Sequence, residues 1–324
     1  MTTPDRTVWR TELDRRSRTA GIGGLAHRLR HPVRTSYPST RTLRARRHRG
    51  EGRPSTTRTF WGQEMTIALP EEVSISLHRR GYVDYDLTAF LLSHLRPGMT
   101  VLDVGAHIGY YTMLSAALVG PGGTVVAFEP TPSTLTVLRA NAARLPQISV
   151  VPSAVWSRRD ELVFYDRGLG YSAYNSAFEA RLPDVVRRRV PSEPIPVDAV
   201  SLDDHVAAAG LAVDFVKIDA ESAEAHVLAG MRDLLAGRGP VLSLEVGDLD
   251  VADAPASREL VDTLLGAGYA PWELRRGAPV PHAPQDRYAY QNLLFAPVGR
   301  DLASPATRGS HAAHPPHPLP TKEA

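Results

Sequence analysis

From residue 100 to residue 266 the chain alternates short apolar runs with longer segments of helical periodicity, and this alternation limits the fold more than any other feature. "TVLDV" is followed by "YYTMLSAALV", "TVVAFE" by "PSTLTVLRANAARL", "VDFVKID" by "AEAHVLAGMRDLLA", and "PVLSLEV" by "SRELVDTLLGAG". The strand-like runs are almost continuously apolar, which predicts a parallel sheet covered by helices on both faces. "ISVVPSAV" reads as one further strand, and "APWEL" and "QNLLFAP" as two closing strands. Ahead of the alternation, "MTIAL" and "VSISL" are predicted as strands of a hairpin over 60–80, turned at Pro70. "DLTAFLLSHL" is predicted as an amphipathic helix stopped by Pro97-Gly98. "ELVFYD" and "EPIPVDAVSL" suggest a β insertion over about 158–200.

Charge divides the chain differently. Residues 1–58 hold 15 Arg against four acids, while the remainder holds 22 bases and 31 acids, so a net charge of +2 joins a basic arm to an acidic body. We expect a flexible Arg-rich arm over 1–57, with "LAHRLRHPV" as a short basic helix, one domain over 58–298, and a disordered tail over 299–324. The tail histidines His311, His314 and His317 are interleaved with prolines, a pattern of solvated chain and not of a metal site. The absence of cysteine excludes disulfides, thiolate-held zinc, iron–sulfur clusters and thiol nucleophiles. No apolar run approaches the length of a membrane span, and a cytoplasmic location is expected.

"VLDVGAHIGYYT", residues 101–112, is a strand, a glycine turn and a helix start. In a doubly wound sheet ligands lie beyond the carboxyl ends of the strands, and glycine lets the backbone approach a ligand closely. The turn lacks the third glycine of the dinucleotide fingerprint, which argues against a pyrophosphate and an NAD-dependent oxidoreductase. Glu129 ends the next strand, at the place from which a carboxylate accepts ribose hydroxyls. Asp103 could hold a ligand ammonium or could cap the turn, and Glu129 could simply end its strand. Taken together, an acid in the strand, a glycine turn and a ribose acid suit a cationic nucleoside without phosphates, namely S-adenosylmethionine.

"DVGAHIGYYT", "VVAFEPTPSTLTVLRAN" and "DFVKIDAESAEAHVLAGM" closely resemble the FkbM family of S-adenosylmethionine-dependent methyltransferases, over roughly Tyr82 to Pro297. "SLDDHV" and "NLLFAP" also look like family positions. The resemblance implies the α/β class I methyltransferase (Rossmann-like) fold, a doubly wound sheet of seven strands with the last antiparallel. It also implies O-methylation of a hydroxyl on a sugar or polyketide-type natural product. The candidate cofactor contacts are then Asp103, Gly105, Ala106, His107, Gly109, Tyr110, Glu129, Pro130 and Asp219, with the adenine near Ser153 and Ala154 by analogy with the fold. His107 stands where the family usually has Asn, and Ala220 and Ser222 where it has Val and Gly.

Methyl transfer from a sulfonium needs an acceptor oxygen held in line and a route for its proton. "VKIDAES" supplies three catalytic candidates: Glu221 as general base, Asp219 positioning the cofactor amine or the acceptor, and Lys217 beside them. Lys217 could instead form a structural ion pair with Asp219 or Glu245. Asp219, Glu221 and Glu245 are hard oxygen ligands that suit Mg2+, but nothing in their spacing demands a metal and none is expected. His226 reads as a helix-surface residue. Tyr82 and Tyr85 are expected to cover the cofactor, and "YDRGLGYSAYNSAF" to shape the acceptor pocket. A nucleic-acid methyltransferase gripping phosphates with the arm is the rival reading. Scarce aromatics in the arm and the acidic body argue against it. A non-catalytic binding protein on the same fold is the other rival, and cofactor titration separates it.

Overall fold

The computed structural model describes residues 5–21, 52–178, 190, 192–248 and 255–303. Helix α1 (Arg6–Gly21) comes first, then the hairpin strands β1 (Arg53–Arg58) and β2 (Glu64–Leu69), then helices α2 (Glu72–Arg80) and α3 (Tyr85–His94). The alternation follows as β3 (Thr100–Val104), α4 (Tyr110–Val119), β4 (Thr124–Phe128), α5 (Pro132–Ala142) and β5 (Ile148–Val151). A short strand β6 (Ala154–Val155) leads to β7 (Asp160–Asp166), a 3-10 turn (Leu169–Tyr174) and β8 (Glu193–Val200). The chain returns through α6 (Leu202–Ala209), β9 (Phe215–Ile218), α7 (Glu224–Ala229), α8 (Arg232–Ala236), β10 (Val241–Val246) and α9 (Ser257–Gly266). It closes on β11 (Tyr269–Arg275), β12 (Ala278–Pro281) and β13 (Gln291–Pro297).

Strands β3, β4, β5, β9 and β10 are parallel, and β13 runs antiparallel between β10 and β11. The full order is β12-β11-β13-β10-β9-β3-β4-β5. This is the doubly wound class I methyltransferase order, with the antiparallel strand as expected and one strand more than expected, because β12 folds back onto β11 as a hairpin. Alternation along the strands fills two cores. Val101, Val125, Phe215 and Val241 face α3 and α4, whereas Leu102, Val126, Val216 and Leu242 face α7, α8 and α9. Strand order reverses between β3 and β9, so a crevice opens where these two strands end.

Several local expectations are corrected. "VSISL" is helical: the buried Glu71 carboxylate caps α2 by accepting from the Val73 and Ser74 amides, and Gly81 ends it at φ 75°. The hairpin lies at β1 and β2, a few residues earlier than the predicted 60–80. "ISVVPSAV" breaks at Pro152, so β5 stays in the main sheet while β6 joins a separate sheet, β6-β8-β7. "AEAHVLAGMRDLLA" breaks at Gly230, where a side chain would strike the Trp156 carbonyl 2.1 Å from its Cβ.

Within the expected arm, Arg6–Gly21 is a helix seated on the domain. Leu13 is fully buried, and the Arg6 guanidinium donates to the carbonyls of Leu92, Leu95 and Leu118. It thereby serves unpaired carbonyls where α3 and α4 end. "LAHRLRHPV" and the tail histidines lie outside the described residues. Among the described residues, no helix is long and apolar enough to cross a membrane.

Candidate active site

The glycine turn is shaped by the protein's own packing. Gly105 has φ 73°, and a Cβ there would lie 1.8 Å from the Asp219 carbonyl oxygen. At Gly109, φ 90°, a Cβ would lie 2.6 Å from Leu138 Cδ1. Side chains are therefore excluded at this turn by the end of β9 and by Leu138 of α5. The Gly105 and Ala106 amides donate to the Phe128 carbonyl, which joins the turn to the end of β4.

A cleft open to solvent lies over these strand ends. Gly105, His107, Glu129, Pro130, Ser153 and Ala154 line one side of it. Asp219, Ala220 and Glu221 line the end of β9, and Phe164, Ser172 and Asn175 come from the insertion. The structure thus brings eight of the candidate site residues to one cavity, Asp219 and Glu221 included.

Five candidates do not reach it. Asp103 is buried at 1% exposure; its carboxylate accepts from Thr112 Oγ1 at 2.6 Å and lies 3.6 Å from Lys217 Nζ. It braces β3 against β9, where Asp103 and Lys217 are register partners. Lys217 is equally buried, with Nζ 3.2 Å from Asp219 and 3.5 Å from the Gly105 carbonyl. Burial pulls its pKa down, but the Asp219, Asp103 and Glu245 charges outweigh that and raise it, so it stays cationic. Lys217 is accordingly the structural ion pair, and Asp219 is the partner that faces the cleft. Ala106 and Gly109 pack on Leu138, and the Tyr110 hydroxyl is bonded to Thr88, with burial raising its pKa. Tyr82 and Tyr85 do not cover the cleft either: Tyr82 lies under Arg80, and the Tyr85 hydroxyl donates to Asp14 of α1.

Glu129 is 6% exposed and heavily bonded. Oε1 accepts from the Thr131 amide (3.0 Å), Thr131 Oγ1 (2.6 Å) and Thr134 Oγ1 (2.7 Å), while Oε2 accepts from the His107 amide (2.9 Å). A carboxylate offers about four lone-pair sites, so Oε2 retains capacity toward the cleft. The two threonines, one at the N-cap position of α5 and one in its first turn, carried no signal that distinguished them from ordinary helix-start residues. His107 has φ 53°, and its Nε2 is hydrogen-bonded to Ser172 Oγ at 2.7 Å.

At the other end, Asp219, Glu221 and Glu245 each offer an oxygen within 4.8 Å of the others. Burial and the Asp219 charge push Glu245 well above the usual carboxylate range, while Asp219 lies 3.2 Å from the Lys217 ammonium. Ser222, at φ 81°, occupies a left-handed position, which explains a family glycine there without any ligand. Trp156 and Phe164, both missed in the sequence, add apolar wall. Trp156 stacks on His226 with centroids 3.6 Å apart and planes at 11°, so His226 supports the cleft wall.

Residues 103–271 match the model of the methyltransferase FkbM domain. The chain is 35% identical over 200 residues to the 31-O-demethyl-FK506 methyltransferase FkbM of Streptomyces tacrolimicus, covering 54% of this chain and 74% of that protein. It is 30% identical over 207 residues to the AMB antimetabolite synthetase AmbE of Pseudomonas aeruginosa, covering 54% of this chain but 10% of that protein. Among solved structures, the methyltransferase FkbM from Methylobacillus flagellatus is 16% identical with a TM-score of 0.39, over 68% of this chain and 52% of that one. The chain belongs to the FkbM family of S-adenosylmethionine-dependent methyltransferases, and it is an enzyme of that kind.

Proposed function

We propose that the protein transfers a methyl group to a hydroxyl oxygen of a sugar or polyketide-type natural product, with donor and acceptor meeting in this cleft. The observation that supports it is the polarity of the cleft. One end offers Glu129 and Ser153 beside the apolar Pro130, Ala154 and Val155; the other offers the carboxylates of Asp219 and Glu221. These residues fit the donor: a carboxylate suits the ribose hydroxyls, apolar walls suit adenine, and a carboxylate suits an ammonium and a sulfonium. A hydroxyl oxygen as acceptor agrees with the name of the Streptomyces relative, a 31-O-demethyl-FK506 methyltransferase.

When bound, S-adenosylmethionine supplies an electrophilic methyl group and a sulfide leaving group. Glu129 orients the ribose. Asp219, 3.2 Å from Lys217, binds the amine and favours positive charge at that end. Glu221 accepts the acceptor's proton as its oxygen forms the new bond to carbon. The three carboxylates have oxygens close enough to hold Mg2+, but Lys217 already balances Asp219, so turnover is expected to survive EDTA.

Labelled cofactor incubated with hydroxylated metabolites of the host, followed by mass spectrometry, tests the reading. Glu221→Ala should leave cofactor affinity within about twofold and slow turnover by about 10²- to 10⁴-fold. Normal turnover in that variant removes Glu221 as the base.

A further inference from the structure

Both oxygens of the Glu129 carboxylate are tied to the same short piece of the insertion. On one side Asn175 Nδ2 donates to Thr131 Oγ1 at 3.1 Å, and Thr131 Oγ1 donates to Glu129 Oε1 at 2.6 Å. On the other, Ser172 Oγ is bonded to His107 Nε2 at 2.7 Å, and the His107 amide donates to Glu129 Oε2 at 2.9 Å. Each oxygen is thus two hydrogen bonds from the 3-10 turn, through one intervening residue.

These contacts are built to hold. Ser172 and Asn175 are 4% and 6% exposed. The Asn175 amide has no freedom to flip, because Oδ1 accepts from the Arg167 backbone amide at 2.8 Å and leaves Nδ2 for Thr131. The Asn175 amide itself donates to the Ser172 carbonyl at 3.2 Å, which locks the two donors into one turn. Next in the chain, Ser176 Oγ donates to the Glu221 carbonyl at 2.7 Å, so the same segment also grips the far end of the cleft. A carboxylate at a strand end needs none of this to survive: the Thr131 amide and the two threonine hydroxyls already serve it.

We infer that Asn175 and Ser172 are positioning residues for the donor's sugar: acting through Thr131 and His107, they set the direction of the Glu129 carboxylate, so that the insertion must be docked for ribose to be held. This rests on the assignment of Glu129 to the ribose hydroxyls. A hydrogen-bonded relay has a direct energetic consequence. A carboxylate fixed before binding keeps its remaining lone pair aimed at the cleft and loses no orientational freedom when the hydroxyls arrive. The insertion also carries cleft wall in Phe164 and Ala173, so the element that faces the acceptor is the one that fixes the donor's grip.

The test uses the full chain and two nucleosides that differ only in the sugar, adenosine and 2′,3′-dideoxyadenosine, titrated by calorimetry. The unaltered protein should bind adenosine about tenfold or more tightly than the dideoxy compound. Asn175→Ala should weaken adenosine about five- to tenfold, the worth of one hydrogen bond, and change dideoxyadenosine by less than about twofold. Asn175→Asp, which keeps the shape and the acceptor for Arg167 but loses the donor, should behave the same way, whether or not the alanine variant folds well. Asn175→Ala combined with Thr131→Val should cost no more than Thr131→Val alone. Equal weakening of both nucleosides, or simple additivity with Thr131→Val, overturns the inference and leaves the role of Glu129 intact. Failure of the unaltered protein to prefer adenosine overturns the Glu129 assignment itself, and the relay with it.

Discussion

The two walls of the cleft are held by different forces. The wall at β3, β4 and β9 is the end of a parallel sheet, its strands buried on both faces and its turns wedged against one another, as Gly105 is against Asp219. The wall from the insertion is a three-stranded sheet with a small core around Phe164, Val197 and Ala199, joined to the domain by side-chain hydrogen bonds from Ser172, Asn175 and Ser176. Packing of large apolar area makes the first wall stiff, whereas a few polar contacts worth about 0.5–1.5 kcal/mol each hold the second in place. The sheet wall carries the family chemistry, and the insertion wall is where members of a fold can differ without losing the fold.

Substitutions can break this contrast. The largest effect is expected for Gly105→Ala, which drives a Cβ into the Asp219 carbonyl at positive φ; it should cost about 3–5 kcal/mol in denaturant unfolding and abolish cofactor binding. Phe164→Ala should cost about 3 kcal/mol, but locally: hydrogen exchange should rise over 160–200 while protection of β3, β4 and β9 persists. Loss of protection in both regions at once would show that the walls form one cooperative unit. A smaller, pH-dependent effect belongs to Glu245. Its folded pKa is raised, so the folded state binds the extra proton, and stability falls as pH climbs above the ordinary carboxylate range of about 4. Glu245→Gln should therefore flatten the decline in Tm as pH rises above about 4. Least of all, Ser222→Gly should raise stability by about 0.5–1 kcal/mol by relieving a left-handed serine, read as a shift in the urea midpoint.

The same contrast decides what was legible in the sequence. Unbroken apolar runs such as "TVLDV" and "VDFVKID" announce strands buried on both sides, and the order of the sheet follows from the alternation. Short segments failed where end effects outweigh pattern. "VSISL" alternates like a strand, but Val73 and Leu77 also share a helical face, and the Glu71 cap and Gly81 decide the matter. Within the site, strand ends located Glu129, Asp219 and Glu221 correctly in the cleft. The buried partnership of Asp103 with Lys217 depends on which strands become neighbours, and no local pattern encodes that register. Thr131, Ser172 and Asn175 are common loop and cap residues, given meaning only by the carboxylate they converge on.

The lock between Gly105 and Asp219 bears on how the enzyme admits differently shaped acceptors. Backbone meets backbone there without an intervening side chain, so the glycine turn and the segment that presents the acidic groups travel as one rigid piece. Any widening of the entrance has to come from the opposite lip, which makes residues 164–176 the place to look when an altered acceptor range is sought.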